Sequence, residues 1–516
     1  MYFLTNRFVS TLCLFVSLGL APATGSATVS LIADIYPGTA SGAGGNALPT
    51  PDGRVLLTAR NATSGYEVFL YDGVSAPTLV KDLNGTLSSG PILLPDRSAF
   101  LPDGRLLYNA SVTTTGNEFY VTNSSYTDIT LALDMIPGVV GSTKQVMTVN
   151  QANPNLILFS TNTSTYGQEP YVYNITTNTT TLLKDTSPGS GNGMESVPQP
   201  FVYNPTYGKY LFTANGKPYT TDGTTANTSA MTGPTIYGAK NYKTLSNGKV
   251  LFVAYEANMD FQPYVANLAT NTYQLLSYMC LSNPGESMMV SSKFEIVADG
   301  RAVFMMNNCD GRGLMPWITD GTSSGTTPLF PSMYSGSAIE FPISSINGHA
   351  LFLMDDGVHG LELWSTDGTT HQMIADTVPG SDSIADIFVF NEGVIGNKLY
   401  LVSIDSYGRG SLWVTSGTPT DTIKLNTSFS FTTNNQYKYL PVSGGKIIFT
   451  GNDDVYGNEP WISDGTVAGT YMLADIEPEG VGSNPAAYTL LGTNKVVFRA
   501  FDDDHGYEFR EYDFTE

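Results

Sequence analysis

The stretch GNEPWISDGTVAGTYMLADIEPEG at 457–480 decides how the whole chain reads, because its pieces keep returning. ITDGTSSGT stands at 318–326, ELWSTDGT at 362–369 and IADTVPG at 374–380. A phrase that recurs at intervals marks a repeat architecture, and its period has to be found before any local reading. The unit has four parts. A turn, Asp-x-x-Pro-Gly, begins at Asp34, Asp134, Asp185 and Asp376. A strand follows, read as DGRVLLTA (52–59), GKYLFTA (208–214), GKVLFVA (248–254), GGKIIFT (444–450) and NKVVFRA (494–500). Next comes a hairpin loop ending in Gly-x-Glu and an aromatic strand. The unit closes on an Asp-Gly-Thr turn and a strand ending in Asp.

The Glu of Gly-x-Glu falls at Glu67, Glu118, Glu169, Glu362, Glu459 and Glu508. Degenerate equivalents are expected near Pro218, Gln262 and Met315, with Ser411 between 362 and 459. This makes about ten units of roughly 50 residues. Short β-branched and aromatic runs read as half-buried strands. Asp-Gly supplies the positive φ and side-chain hydrogen bonds of a tight turn, and Pro-Gly reverses the chain between units. Three or four short strands repeated with aromatics once per unit describe propeller blades. The predicted fold is all-β, a single ring of about ten four-stranded blades, with two smaller propellers as the alternative.

Closure can be read from the ends. VSLIADIYPG at 29–38 matches YMLADIEPEG at 471–480, the last strand of one unit and the turn into the next. GYEFREYDF at 506–514 is a third strand without a fourth. The N-terminal strand is therefore expected to complete the C-terminal blade, which hides both edges.

With 41% hydrophobic residues, 52 Gly and 30 Tyr beside only 14% charged, the composition suits many strands joined by tight turns. Residues 1–27 read as a secretory signal: one basic residue, an apolar FVSTLCLFVSLGLA, then small residues with cleavage after Ala23 or Ala27. No later stretch approaches the roughly 20 apolar residues of a membrane-spanning helix. A secreted extracellular or cell-surface protein is expected, with residues 28–516 forming the repeat domain. Sequons at Asn61, Asn84, Asn109, Asn123, Asn162, Asn174, Asn178, Asn227 and Asn426 make it a candidate glycoprotein. Once Cys13 leaves with the signal, Cys280 and Cys309 remain as a candidate disulfide. The net charge of −22 disfavours nucleic acid and anionic membrane as partners.

GLELWSTDGT, GxEPWxSDGTxxGT and the LxADIxPG connector together resemble the ELWxxDGT-repeat proteins, a mostly bacterial set of secreted or surface-associated chains. The likeness spans nearly the whole mature chain and is densest over 300–516. The N-terminal half departs from it: Tyr120, Tyr171, Tyr219 and Tyr264 replace Trp, and Asn-Ser-Ser at 123–125 replaces Asp-Gly-Thr. The resemblance implies a propeller-like fold and brings no activity with it.

A catalytic acid is needed once or twice, so a Glu recurring in six units is expected to serve packing or hydrogen bonding. The same reasoning applies to Asp222, Asp320, Asp367 and Asp464 of the Asp-Gly-Thr turns. Acidic hairpins MDDGVHG (354–360), NDDVYG (452–457) and FDDDHG (501–506) offer Asp355, Asp356, Asp453, Asp454, Asp503 and Asp504 as candidate calcium ligands, because Ca²⁺ takes six to eight oxygens. They also suit ordinary solvated turns. Tyr166, His359, Tyr407, Tyr456 and His505 precede the hairpin Gly. Flat rings recurring around one rim could stack on sugars, many weak contacts adding up; they also suit packing against the adjacent blade. No H-E-x-x-H, G-x-S-x-G or Walker-type motif appears. The expected function is an extracellular binding or adhesion module for carbohydrate or protein. A polysaccharide hydrolase or lyase, and a structural coat or matrix component, are the alternatives.

Overall fold

Ten four-stranded antiparallel sheets, each a simple meander, stand in one ring. The structure is a computed structural model that describes residues 28–94, 97–138, 141, 147–194, 201–257, 261–277, 293–307, 314–330, 344–377, 386–405, 410–429, 439–453, 455–478 and 480–514. Among these residues the helical content is two 3₁₀ turns, Pro419–Asp421 and Ser443–Gly445. No helix among them is long and apolar enough to cross a membrane.

Blades are numbered here from Ala43–Pro49, the first inner strand, to blade 10, whose inner strand is Ala486–Leu491. Inner strands of successive blades approach one another, as Ala43–Pro49 does Ala486–Leu491. The other three strands step outward. An apolar cluster fills each seam between neighbours. Leu56 and Val68 of blade 1 meet Leu106 and Tyr108 of blade 2. At the far side of the ring Ile448 and Ile462 of blade 9 meet Val496 and Phe498 of blade 10. The ring closes through Leu57 and Phe69 against Val497 and Phe509. Each blade thus buries both faces only by stacking, as expected of a module too thin to hold its own core.

Closure follows the reading of the termini. Ser30–Leu31 is the outer strand of blade 10, with Ser30 opposite Glu511 and Leu31 opposite Arg510. Ile32 N–H donates to the Phe509 carbonyl at 3.0 Å. One ring, not two, accommodates all ten units.

The repeated Phe of the second strand faces the repeated aromatic of the third: Tyr108 opposite Tyr120, Phe252 opposite Tyr264, Phe352 opposite Trp364, Phe449 opposite Trp461. Two residues further along lies the Glu slot. It is occupied as expected by Gln262, Met315 and Ser411 in blades 5, 6 and 8. In blade 4 the occupant is Lys217, opposite Ala214, and not Pro218. The reason is local. Asn215 and Gly216 both take positive φ, 50° and 70°, the signature of a two-residue hairpin that turns the chain early.

Candidate functional site: the hairpin face

In a four-stranded meander, the turns joining first to second and third to fourth strands lie at one end. The central hairpin and the connector to the next blade lie at the other. In a closed ring these ends become two faces.

The turn face is stapling. Asp320 Oδ1 accepts from Thr322 N at 2.8 Å and from its hydroxyl at 2.6 Å, and Gly321 takes φ +79°. Asp222, Asp367 and Asp464 accept from Thr224, Thr369 and Thr466 N–H in the same way. The Thr322 hydroxyl holds the Asp320 carboxyl below the usual range; backbone donation from Thr370 does so for Asp367. These carboxylates are turn caps. The turn carbonyls then receive donors from the preceding blade. Asn150 Nδ2 reaches Asp222 O at 3.0 Å, Asn247 Nδ2 reaches Asp320 O at 3.1 Å, Arg301 Nη2 reaches Gly368 O at 2.9 Å and Lys398 Nζ reaches Asp464 O at 3.0 Å. The Lys/Arg of the second-strand motif, like the Asn of the turn before it, reaches across the seam.

On the hairpin face the six Glu side chains are wholly buried. Each clamps the connector that leads into the following blade. Glu169 accepts from Thr186 N and Oγ1 at 3.0 and 2.5 Å and from Ser187 N at 3.0 Å. Glu362 accepts from Thr377 N at 2.6 Å, Glu118 from Met135 N at 3.0 Å, and Glu67 from Ser89 N at 3.1 Å. Glu459 holds Ile476, Glu477 and Ser483 N–H together. At the closure, Glu508 holds Tyr36 and Gly42 N–H at 3.3 and 2.8 Å, although they lie more than 460 residues away in sequence. Repetition of this Glu reflects one recurring structural duty, which agrees with the expectation from its six copies.

The Gly of Gly-x-Glu is explained by the same contact. Gly167, Gly457 and Gly506 have φ of 64°, 75° and 68°. A Cβ on Gly167 would lie 2.4 Å from Gly191 O, and one on Gly506 2.7 Å from Thr39 O. Only glycine permits the hairpin to lie against the connector.

Burial raises the Glu67 and Glu508 carboxyls to about 7, above an unfolded value near 4.5. The folded state therefore holds protons that the unfolded chain releases between those values. Their stabilising contribution is full below about 4.5 and disappears as pH rises through about 7. Urea midpoints should be higher near pH 5.5 than near pH 8, by on the order of 2 kcal/mol in total stability. Glu67→Gln with Glu508→Gln should flatten that slope; an unchanged slope would refute the assignment.

Of the predicted rim residues, Tyr166 and Tyr456 are exposed, at 37% and 41%, and their hairpins lie on this face. The His359 and His505 side chains are 39% and 35% exposed there. Tyr407 lies outside the described residues. The rings occupy blades 3, 7, 9 and 10 and face solvent separately.

Asp355, Asp356 and Asp453 of the acidic hairpins accept hydrogen bonds within their own turns. Asp356 accepts from Val358 and His359 N–H, and from His359 Nδ1 at 2.8 Å, which raises the imidazole's pKa. Asp355 accepts from Gly357 N–H and Asp453 from Val455 and Tyr456 N–H. In blade 10 it is Asp502, outside the expected set, that holds Asp504 and His505 N–H and pairs with Arg510. Asp503 and Asp504 point to solvent. Among the described residues no three His, Cys, Asp or Glu side chains converge as a metal site. Asp454, Cys280 and Cys309 lie outside the described residues.

One sequon is corrected. Asn109 is fully buried in the second strand of blade 2, so the fold leaves no space for a glycan there. Asn178 and Asn227 are exposed in turns; Asn61, Asn84, Asn123, Asn162 and Asn174 are half-buried at loops or strand ends. The side chain of Asn426 lies outside the described set.

The sequence reading missed the inner strands, which border the central channel. Among those whose side chains are described, Glu295 is the carboxylate present, and it accepts from the Ser345 hydroxyl at 2.8 Å with Lys243 Nζ at 3.8 Å.

No protein-family model matches the chain, and no curated protein matches it. Solved structures do. A study of two prolyl endopeptidases gives a chain 11% identical, covering 70% of this chain and 55% of that one, with a TM-score of 0.35. Dipeptidyl peptidase 4 of Porphyromonas gingivalis is 11% identical over 90% of this chain and 65% of that one, TM-score 0.41. The putative TolB of Agrobacterium tumefaciens is 12% identical over 55% of this chain and 90% of that one, TM-score 0.29. The chain spans less than two thirds of either peptidase, and these scores bear on no activity.

Proposed function

We propose that this protein is a secreted, glycosylated propeller that serves as an extracellular binding or adhesion module, with carbohydrate as the ligand of its hairpin face. The observation that carries the reading is the placement of Tyr166, His359, Tyr456 and His505 on separate hairpins of one face, each more than a third exposed. Burial of the backbone clamps beneath them makes the presenting surface rigid, which lowers the ordering cost of binding. Several weak stacking contacts on a fixed circle give avidity without a deep pocket. The −22 charge disfavours nucleic acid as the ligand of this face.

A multimeric form of the protein should bind a subset of an extracellular glycan array. Tyr166→Ala with Tyr456→Ala should reduce that signal about tenfold or more while leaving the melting temperature in place. A blank array, or binding untouched by the double substitution, would overturn the proposal.

A further inference from the structure

The inner strand of blade 5, Tyr237–Thr244, departs from regular pairing twice. Tyr237 lies opposite Tyr255, Lys240 opposite Val253 and Lys243 opposite Leu251, with a register shift in each interval. Three residues advance on the inner strand for every two on its neighbour. Without the bulges, positions three apart would point to opposite faces. With them, Tyr237, Lys240 and Lys243 stand over alternate residues 255, 253 and 251, all on one face. Leu251 and Val253 belong to the apolar cluster shared with blade 6, so that face is the one turned toward blade 6. Gly238 and Asn241, with φ +63° and +60°, lie within the two shifts. A Cβ on Gly238 would lie 2.8 Å from the Tyr255 ring.

Two backbone distortions in one short strand therefore bring two lysines and a tyrosine to one face of the sheet. Lys243 is committed to Glu295 of blade 6. Lys240 is not: its ammonium sits 4.0 Å from the Phe261 ring centroid, and among the described residues no carboxylate pairs with it. The nearby Glu256 accepts the Tyr264 hydroxyl at 2.9 Å. Around the ammonium, Tyr237 and Tyr255 lie 5.6 Å apart, 42% and 37% exposed, and Phe261 meets Tyr255 edge-on at 5.2 Å. Their strand ends open at the hairpin face beside the channel mouth. Exposed aromatic faces beside an unmatched cation suit a ring that carries its own carboxylate.

We infer that Tyr237, Lys240, Tyr255 and Phe261 form a subsite for an acidic saccharide, a uronic acid unit whose ring stacks on the tyrosines and whose carboxylate meets Lys240. The inference rests on the reading of this face as carbohydrate-binding, but it uses residues separate from the rim hairpins. A sugar is favoured over an acidic peptide because the exposed apolar area is two flat rings and not a groove for side chains.

Calorimetric titration with tetragalacturonate, a neutral tetragalactoside and a short poly-aspartate peptide tests it. Wild-type protein should bind tetragalacturonate more tightly than either of the others, and less tightly as salt rises. Lys240→Gln should weaken that binding about tenfold, and Tyr255→Ala similarly, with melting temperatures held as the folding control. The Tyr166→Ala, Tyr456→Ala protein should keep it, so loss of array binding alone separates the rim proposal from this one. Equal affinity for the neutral sugar, equal or tighter binding of the peptide, no tetragalacturonate binding, or binding indifferent to Lys240→Gln would each overturn the subsite.

Discussion

A chain lacking residues 28–40 should lose most of its cooperative stability, although it retains every strand of blades 1 to 9. That segment supplies the outer strand of blade 10 and the connector into blade 1. Val29 packs in the seam between blades 9 and 10, while Ile32 and Ile35 pack in the seam between blades 10 and 1. Its removal also strips Tyr36 N–H from Glu508 and bares the edge of Gly506–Asp513. Three aliphatic side chains and a few backbone hydrogen bonds amount to about 5 kcal/mol, a large fraction of the roughly 5–15 kcal/mol that a domain commands. The expected readout is a much lower urea midpoint and association through the exposed edge. Adding a peptide spanning residues 28–40 should restore part of the midpoint. A truncated chain with unaltered denaturation would mean that the ring needs no latch.

Glu459→Ala should be the most damaging single substitution on the hairpin face. It leaves the N–H groups of Ile476, Glu477 and Ser483 and the Ser483 hydroxyl, 2.6 Å from the carboxylate, without their acceptor under a buried connector. Unsatisfied buried donors cost about 1–3 kcal/mol each, and partial rearrangement brings the expected total to about 3–5 kcal/mol. Glu459→Gln keeps one acceptor oxygen and should lose less. Chemical denaturation of the two variants at one pH measures the difference. A loss under about 1 kcal/mol for the alanine variant would show that the connector stands without its clamp.

The second and third strands of each blade were legible in the sequence because they do the same work ten times. Phe449 opposite Trp461 and Phe352 opposite Trp364 fill equivalent seam positions, so the same residue types recur. The inner strands escaped notice for the opposite reason. They border the channel and enter the seams with residues that differ from blade to blade, Leu48, Met147 and Tyr242 among them, so AGGNALP, MTV and YGAKNYKT share no pattern. The blade 5 bulges were invisible too, since a register shift depends on the partner strand. Rim residues could be found from their fixed offset to the hairpin Gly. Burial of Asn109 was unreadable from its sequon, because Asn-Ala-Ser says nothing about the strand containing it. The Pro218 misplacement had a signal available: Asn-Gly at 215–216 marks a two-residue hairpin, and counting from it selects Lys217.

Replacing Ser30 and Glu511 by cysteine tests the closed ring most directly. The two are register partners across antiparallel strands, where Cα atoms lie within the roughly 4.4–6.8 Å that a disulfide spans. Mild oxidation of the folded double variant, followed by peptide mapping, should recover a cross-link joining the segment around residue 30 to that around residue 511. It should be absent when the protein is oxidised in denaturant at low concentration. Free thiols at both positions in the folded protein would contradict the ring.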